Sequence, residues 1–520
     1  MKRRSLPAVW FAPVLLFAFS FLLVSCGNNF FFGGRPLPPS RLTNRVLIAL
    51  QNPSALSKGA LPFVDAFFDI RHPFNNANAP AFSISGFSGA LPVTIQNMPE
   101  EEAGGVYAVG DGSFTLINYS QEKTSGPVTV PAAPTASPLT AGGFSTSVFI
   151  SQDQKFLYDA NPSTHILGIE DIVNKISYTM NLPNVYRVSV NPGGTIVLAF
   201  VQNSVQGPGI ATNPNQAPHG QFSVYSVVHL TSAQSTAAAN NPNYLGAQDC
   251  EPQNLPQFCV FPVSTGPALS SPSSSPSFDN PIKAVFSPDG STVYVLNCGP
   301  ECGGTTAGVT VIPVTASELN NSSEGASGIA LVAQSNIAIP GGATNAAFNG
   351  NTMYIAGQCF SAGASLTCAP APSKGDGLFT GQLTVLNTEN GSITGQYSIS
   401  DGTHNKMVFA DNSTLWLGSS QCQLGERYTE VLAGASVPYG CMTMFNTSNN
   451  SVLLESFKGD GTGVAAVTGL NKVYTAEGGQ IYIYNTTDGS TRDNTNVTVT
   501  GTAADVAYMD AASDADNTTY

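Results

Sequence analysis

Charge is scarce in this chain. Of its 520 residues only 10% are Asp, Glu, Lys or Arg, and there are just 2 Trp and 5 His. Coiled coils, helical bundles and long solvent-facing helices all need dense Glu, Lys and Arg, so this composition excludes them. Basic residues are the scarcer sign, 19 against 33 acidic for a formal charge of -14. No basic face is left for a phosphate backbone, and nucleic acid is excluded as a partner. The familiar catalytic signatures are missing too. His72, His165, His219, His229 and His404 show no His-x-x-x-His or His-Glu-x-x-His spacing, and neither a Gly-x-Ser-x-Gly elbow nor a phosphate-binding Gly-x-x-x-x-Gly-Lys loop occurs. Asp-Gly pairs at Asp111, Asp289, Asp376, Asp401, Asp460 and Asp488 lack the alternating carboxylates of a calcium loop and read as turns. No metal site and no cofactor are expected.

What is abundant points elsewhere. Hydrophobic residues make up 42%, enough for a large core, and 51 Gly and 36 Pro stand among many Ser, Thr and Asn. That mixture implies short strands and many turns rather than disorder. The clearest unit runs from Ile282 to Asn297, a strand, the turn Pro288-Asp289-Gly290 and a second strand. The phrase returns at Tyr186 to Leu198 and Ser147 to Tyr158, and in looser copies at Asn345 to Ala356, Asn405 to Leu417 and Gly463 to Ala476. A third strand follows each hairpin, as in Gln382 to Asn387, Cys441 to Asn446 and Gln480 to Asn485, and a fourth closes the unit, as in Ser451 to Phe457.

Four short antiparallel strands repeated every 40 to 60 residues or so predict an all-β chain, a single β-propeller. Second strands fall at Arg45 to Leu50, Gly105 to Val109, Lys155 to Ala160, Thr195 to Val201, Ser291 to Asn297, Asn351 to Ala356, Ser413 to Gly418 and Asn471 to Ala476. Eight blades are therefore expected, with seven as the alternative. The chain begins on a second strand and ends on an unpaired first strand, Ala503 to Met509. Together these fragments would complete one blade and close the ring without an exposed edge. The insertions Gln202 to Gly220 and Thr231 to Gln257 and the tract Ser264 to Ser277, all in the fourth blade, read as surface loops with little regular structure.

Ala284 to Asn297, with Val285-Phe286-Ser287-Pro288-Asp289-Gly290 and Tyr294-Val295-Leu296-Asn297, resembles the YVTN family of β-propeller repeats. The resemblance extends in degenerate form over most of residues 45–510. It implies the fold and says little about function.

The N-terminus carries Lys2, Arg3 and Arg4, an apolar run from Val9 to Val24, and then Leu23-Val24-Ser25-Cys26. These are features of an export signal, and the last four residues resemble a bacterial lipobox. That resemblance implies cleavage after residue 25, lipidation of Cys26 and attachment to a membrane through acyl chains. The competing reading is an uncleaved transmembrane anchor. Gly27 in place of Asp favours the outer membrane by the same resemblance. Cleavage would leave 16 basic against 33 acidic residues, a charge of -17. Residues 26–44 read as a tether, 45–510 as the ring and 511–520 as an acidic tail.

Eight further Cys form sequence-local pairs, Cys250 with Cys259, Cys298 with Cys302, Cys359 with Cys368, and Cys422 with Cys441. In an oxidising compartment these are disulfide candidates. The last three pairs bracket second-to-third-strand loops and would brace one rim of the ring.

Aligning the repeats on their first strands puts Ser147, Arg187, Lys283, Asn345, Lys406, Gly463 and Asp505 at one equivalent position, which in a propeller faces the channel mouth. Arg187, Lys283 and Lys406 would form a basic ring able to hold an anion such as a carboxylate or sugar acid. The alternative is ion pairing with Asp505 or its neighbours. The expected function is thus a monomeric, exported, lipid-anchored binding scaffold for a protein, glycan or small anionic ligand. The runner-up is an enzyme, because YVTN-like rings are similar in fold to lactonases and quinoprotein amine dehydrogenase subunits, although no catalytic motif of either matches here. A channel His with Glu or Arg in reach would favour the enzyme, and a polar, empty channel would favour binding.

Overall fold

A computed structural model describes residues 37–511 apart from 55–57, 74–78, 99–100, 131–146, 152, 162–163, 165, 183, 192–193, 203–221, 242–243, 266–277, 303, 305, 315–330, 361–378 and 437–438. The signal segment, Cys26, most of the tether, Cys368, Asp376, His165, His219 and the tail from residue 512 onward lie outside the described residues. Among those described, no helix is long and apolar enough to cross a membrane.

Eight antiparallel sheets form the blades of a β-propeller. The hairpin phrase folds for a local reason. In Pro281–Phe286 and Thr292–Asn297 the strands meet at a turn where Asp289 Oδ1 accepts from Ser287 Oγ at 2.6 Å and from the Ser291 N–H at 3.0 Å, while Gly290 takes φ 70°. Alternate residues of each strand then bury against both neighbouring blades. Leu198 and Phe200 of the fourth blade, for example, pack on Ala284, Val293 and Val295 of the fifth.

The inner strands, in ring order, are Thr502–Tyr508 (blade 1), Pro92–Met98, Ser147–Ile150, Val185–Val190, Pro281–Phe286, Asn345–Asn349, Thr403–Ala410 and Gly461–Val467 (blade 8). Polar side chains stitch the first five in sequence. Asp505 Oδ2 accepts the Ile95 N–H at 2.9 Å, Gln96 Oε1 the Ile150 N–H at 3.0 Å, Ser147 Oγ the Val188 N–H at 3.1 Å and Ser189 Oγ the Ala284 N–H at 3.1 Å.

Blade 1 closes the ring from both ends of the chain. Thr502–Tyr508 pairs with Arg45–Gln51, from Val46 opposite Tyr508 to Gln51 opposite Thr502, and Arg45–Gln51 pairs in turn with Phe63–Asp65. The Phe63 N–H then donates to Phe82 O and the Ile84 N–H to Leu61 O, adding a fourth, irregular strand.

Two blades depart from four strands. Blade 8 has three, Gly461–Val467, Lys472–Glu477 and Gln480–Asn485, with a lone bridge from Tyr484 to Thr491. Blade 4 has five, because the insertion after its third strand is ordered, contrary to the expectation of an irregular loop. Thr231 and Gln234 form a reciprocal capping box that starts the helix Ser232–Ala239. Asp249–Glu251 then pairs with Phe258–Pro262, placing Cys250 directly opposite Cys259.

Inner strands run from one face of the ring to the other, which fixes what each face carries. Their first residues surround the channel mouth. The mouth face also holds Gln51 and the second-to-third-strand loops, including Cys298–Cys302 and Cys422–Cys441. The opposite face holds Arg45, because Arg45 pairs with Asp65 at the far end of the strand from Gln51. The N-terminal segment therefore enters the ring on the face away from the mouth, where Ser40 already bonds Glu122 through its N–H at 3.0 Å.

Candidate functional site: the channel mouth

A cavity of about 1010 Å³ opens at the starts of the inner strands. Five of the seven positions aligned by repeat line it: Ser147, Arg187, Lys283, Asn345 and Lys406. Thr94 of blade 2 is their counterpart and completes the set. Sequence alignment missed it because the first repeats are degenerate.

The shared orientation has a backbone cause. Register slips by one residue between Pro92 and Thr94, Val185 and Arg187, Pro281 and Lys283, His404 and Lys406, and Gly461 and Gly463. In blade 1 the slip falls between Ala503 and Asp505, opposite Leu50 and Ala49. Each bulge redirects the residue after it, and in these six blades it sets the level of that residue; Ser147 and Asn345 reach the same level in strands whose register is unbroken.

The three basic residues are not equivalent there. Lys406 Nζ lies 2.7 Å from Asp505 Oδ2, both groups buried. Gly463 of the intervening blade makes this reach across a blade feasible. A Cβ at Gly463 would stand 2.8 Å from Asp505 Oδ1 and 2.6 Å from the Val506 nitrogen. Lys406 is thus neutralised, which removes it from the expected basic ring.

Arg187 and Lys283 remain, on adjacent blades. Lys283 Nζ donates to Asn345 Oδ1 at 2.8 Å, and an Arg187 Nη1 lies 3.5 Å from the Ile282 carbonyl. Among the described residues neither has a carboxylate within ion-pair distance. Asp460, an acid on the cavity wall, sits at the link from blade 7 to blade 8 and accepts the Gln421 N–H at 2.8 Å. Arg187 is exposed and lines the cavity. Enclosure by the ring reduces its bulk solvation and lowers its pKa. Lys283 is half-buried, and its amine is brought down to about 7, by burial first and then by the positive charges of Lys406 and Arg187.

His404 also lies on the wall, with Nε2 donating to the Ser400 carbonyl at 2.9 Å and Nδ1 buried without a partner. Burial holds its pKa at about 4, so the ring is neutral. No Glu or Arg is hydrogen-bonded to it among the described residues. His229 stacks on Phe258 at 4.8 Å on the opposite face, and His72 Nδ1 bonds Ala79 O at 2.7 Å. Among the described residues no group of His, Cys, Asp or Glu is arranged to hold a metal ion.

Disulfides Cys298–Cys302 and Cys422–Cys441 brace the mouth face; Cys250–Cys259 is also formed but lies in blade 4 beside the His229–Phe258 pair, away from the mouth, and Cys359 is disulfide-bonded as well. The 422–441 loop is further held by Arg427, which donates to Ser398 Oγ at 2.7 Å and lies 3.5 Å from Asp401.

No known sequence family matches the chain, and no curated protein does. Solved structures do. Hydrazine synthase of Kuenenia stuttgartiensis aligns at 14% identity over 76% of this chain and 96% of its own, with a TM-score of 0.43. The Dos1 propeller aligns at 9% identity over 80% and 86%, TM-score 0.45. A putative 6-phosphogluconolactonase from Bacteroides uniformis aligns at 10% identity over 89% and 99%, TM-score 0.40. At such identities the likeness is one of fold alone. Eight sheets in one ring, sealed by a strand from each end, make this chain a β-propeller.

Proposed function

We propose that this protein is an exported, lipid-anchored β-propeller of YVTN type that binds a small organic anion, a carboxylate or sugar acid, at its channel mouth. The observation carrying this reading is the asymmetry of the basic residues. Lys406 is spent on Asp505, while Arg187 and Lys283 stand side by side on the cavity wall with polar neighbours and, among the described residues, no carboxylate within ion-pair distance. Two cations in a walled cleft concentrate their field where a ligand enters. The neutral His404, engaged by a backbone carbonyl, offers no acid–base pair, so binding is favoured over catalysis. The export signal and Cys26 supply the envelope location, and disulfides agree with an oxidising compartment.

The test is calorimetric titration of the purified protein with gluconate, glucuronate and succinate, beside neutral glucose. Saturable heat with an acid, lost in Arg187→Gln/Lys283→Gln and absent with glucose, is expected. Equal behaviour of wild type and double variant towards every anion would overturn the reading. The mass of the N-terminal peptide, in wild type and Cys26→Ser, tests the anchor.

A further inference from the structure

The face opposite the mouth presents an unusual pair. Phe67 and Phe68 are 56% and 55% exposed and touch edge to face at 4.9 Å between ring centroids. Burying two such rings elsewhere would be favourable, yet the fold holds them outward. The Phe67 N–H donates to Asp65 Oδ1 at 2.9 Å, and Lys472 of blade 8, itself buried, donates to the Ala66 carbonyl at 2.8 Å. The same ammonium pairs with Asp69 at 2.8 Å, and Asp69 turns the chain in the left-handed region at φ 58°. The turn is rigid by construction, so exposure of its rings is a property of the fold.

Its position is the second observation. Asp65 pairs with Arg45, so residues 66–69 leave the ring on the face where the N-terminal segment arrives. Val173, 66% exposed, lies in the turn from Ile166–Asp171 to Ile176–Met180 and projects from the same face. From Cys26 to Leu37 is 11 residue steps, a span that even fully extended reaches no more than about 40 Å.

We infer that Phe67 and Phe68 seat in the interfacial zone of the lipid bilayer that holds the anchor, so that the ring lies with its opposite face on the membrane and its mouth turned away. This rests on the lipid-anchor reading above. Aromatic side chains beside a covalent anchor add apolar burial at the headgroup boundary and fix an orientation that a tether alone leaves free.

The experiment places single Trp probes by Phe67→Trp, Phe68→Trp and, on the mouth face, Leu432→Trp. Leu432 is 70% exposed; of the 2 native Trp, Trp10 leaves with the cleaved segment and Trp416 is fully buried, giving a common background to all three variants. The acylated proteins are reconstituted in vesicles of phosphatidylethanolamine and phosphatidylglycerol, with and without brominated chains. Blue-shifted emission quenched by bromolipid at position 67 or 68, with position 432 unquenched, is expected. Quenching at 432, or none at 67 and 68 in correctly melting variants, overturns the orientation while the anchor stands. A Cys26 peptide of unmodified mass overturns both. The double variant Phe67→Ser/Phe68→Ser, whose residues belong to neither core cluster of the adjoining blades, should keep its melting temperature and lose the rigid orientation, read as new quenching of a 432 probe.

Discussion

Arg45 and Asp510, 465 residues apart in the chain, face each other in a buried two-pronged ion pair, Nη2 to Oδ1 at 2.6 Å and Nε to Oδ2 at 3.1 Å. Arg45 also donates to the Tyr119 carbonyl at 2.8 Å and to Glu122 at 2.9 Å, so one guanidinium joins both strands of the closing blade to blade 2. Removing one partner of a buried pair leaves an uncompensated charge, at a cost of about 3–5 kcal/mol. Asp510→Ala should therefore lower unfolding free energy by that amount in urea. A loss below about 1 kcal/mol, as for a solvent-exposed pair, would show that the clamp does not hold the ring shut.

Gly463→Ala should cost about 1–3 kcal/mol as an overpacked contact, since the new methyl meets backbone of the closing strand at 2.6 Å. It should also disturb Lys406 and Asp505, so Asp505→Asn in the Gly463→Ala background should add less destabilisation than in wild type. Additivity in this cycle would remove the proposed passage of Lys406 across blade 8.

Anion binding should weaken as pH rises through about 7, because Lys283 must be charged to bind and its amine titrates there, below its ordinary range. The groups around it are Arg187, Lys406 and the Asn345 amide. For stability the sign is opposite. The folded state holds fewer protons than the unfolded chain between about 7 and 10.5, so this group adds stability with rising pH. Titrations of wild type and Lys283→Gln at several pH values check both, with a pH-independent affinity in the variant.

Disulfide loss should scale with loop length. Cys422 and Cys441 close a separation of 19 and Cys298 and Cys302 one of 4, for about 3 against about 2 kcal/mol by loop-closure entropy. Denaturant melts of Cys422→Ala/Cys441→Ala and Cys298→Ala/Cys302→Ala, compared with wild type, read the difference.

Much of the ring could be read from one phrase. Each second strand from Arg45–Gln51 to Lys472–Glu477 lies within two residues of its sequence-based start, since a turn such as Ser287-Pro288-Asp289-Gly290 encodes its own hydrogen bonds. Aligned strand starts also located Arg187 and Lys283. What stayed hidden depends on neighbours in space. Nothing local to Lys406 announces Asp505, because the path between them is an absence, the missing side chain of Gly463. The helix Ser232–Ala239 was announced, by Thr231 and Gln234 at capping-box spacing, but within a segment whose Pro and Asn content suggested a loop. The outward pose of Phe67 and Phe68 depends on Lys472 some 400 positions later.

The seal made from both ends sets an order of events. The innermost strand of blade 1, Thr502–Tyr508, comes near the end of the chain, and its partner Arg45–Gln51 lies near the beginning. Until Thr502–Tyr508 has been made, Arg45–Gln51 waits with one edge unpaired, and no premature circle can form. Closure of the circle is therefore a late step, taken only after the seven blades between these two strands have been made.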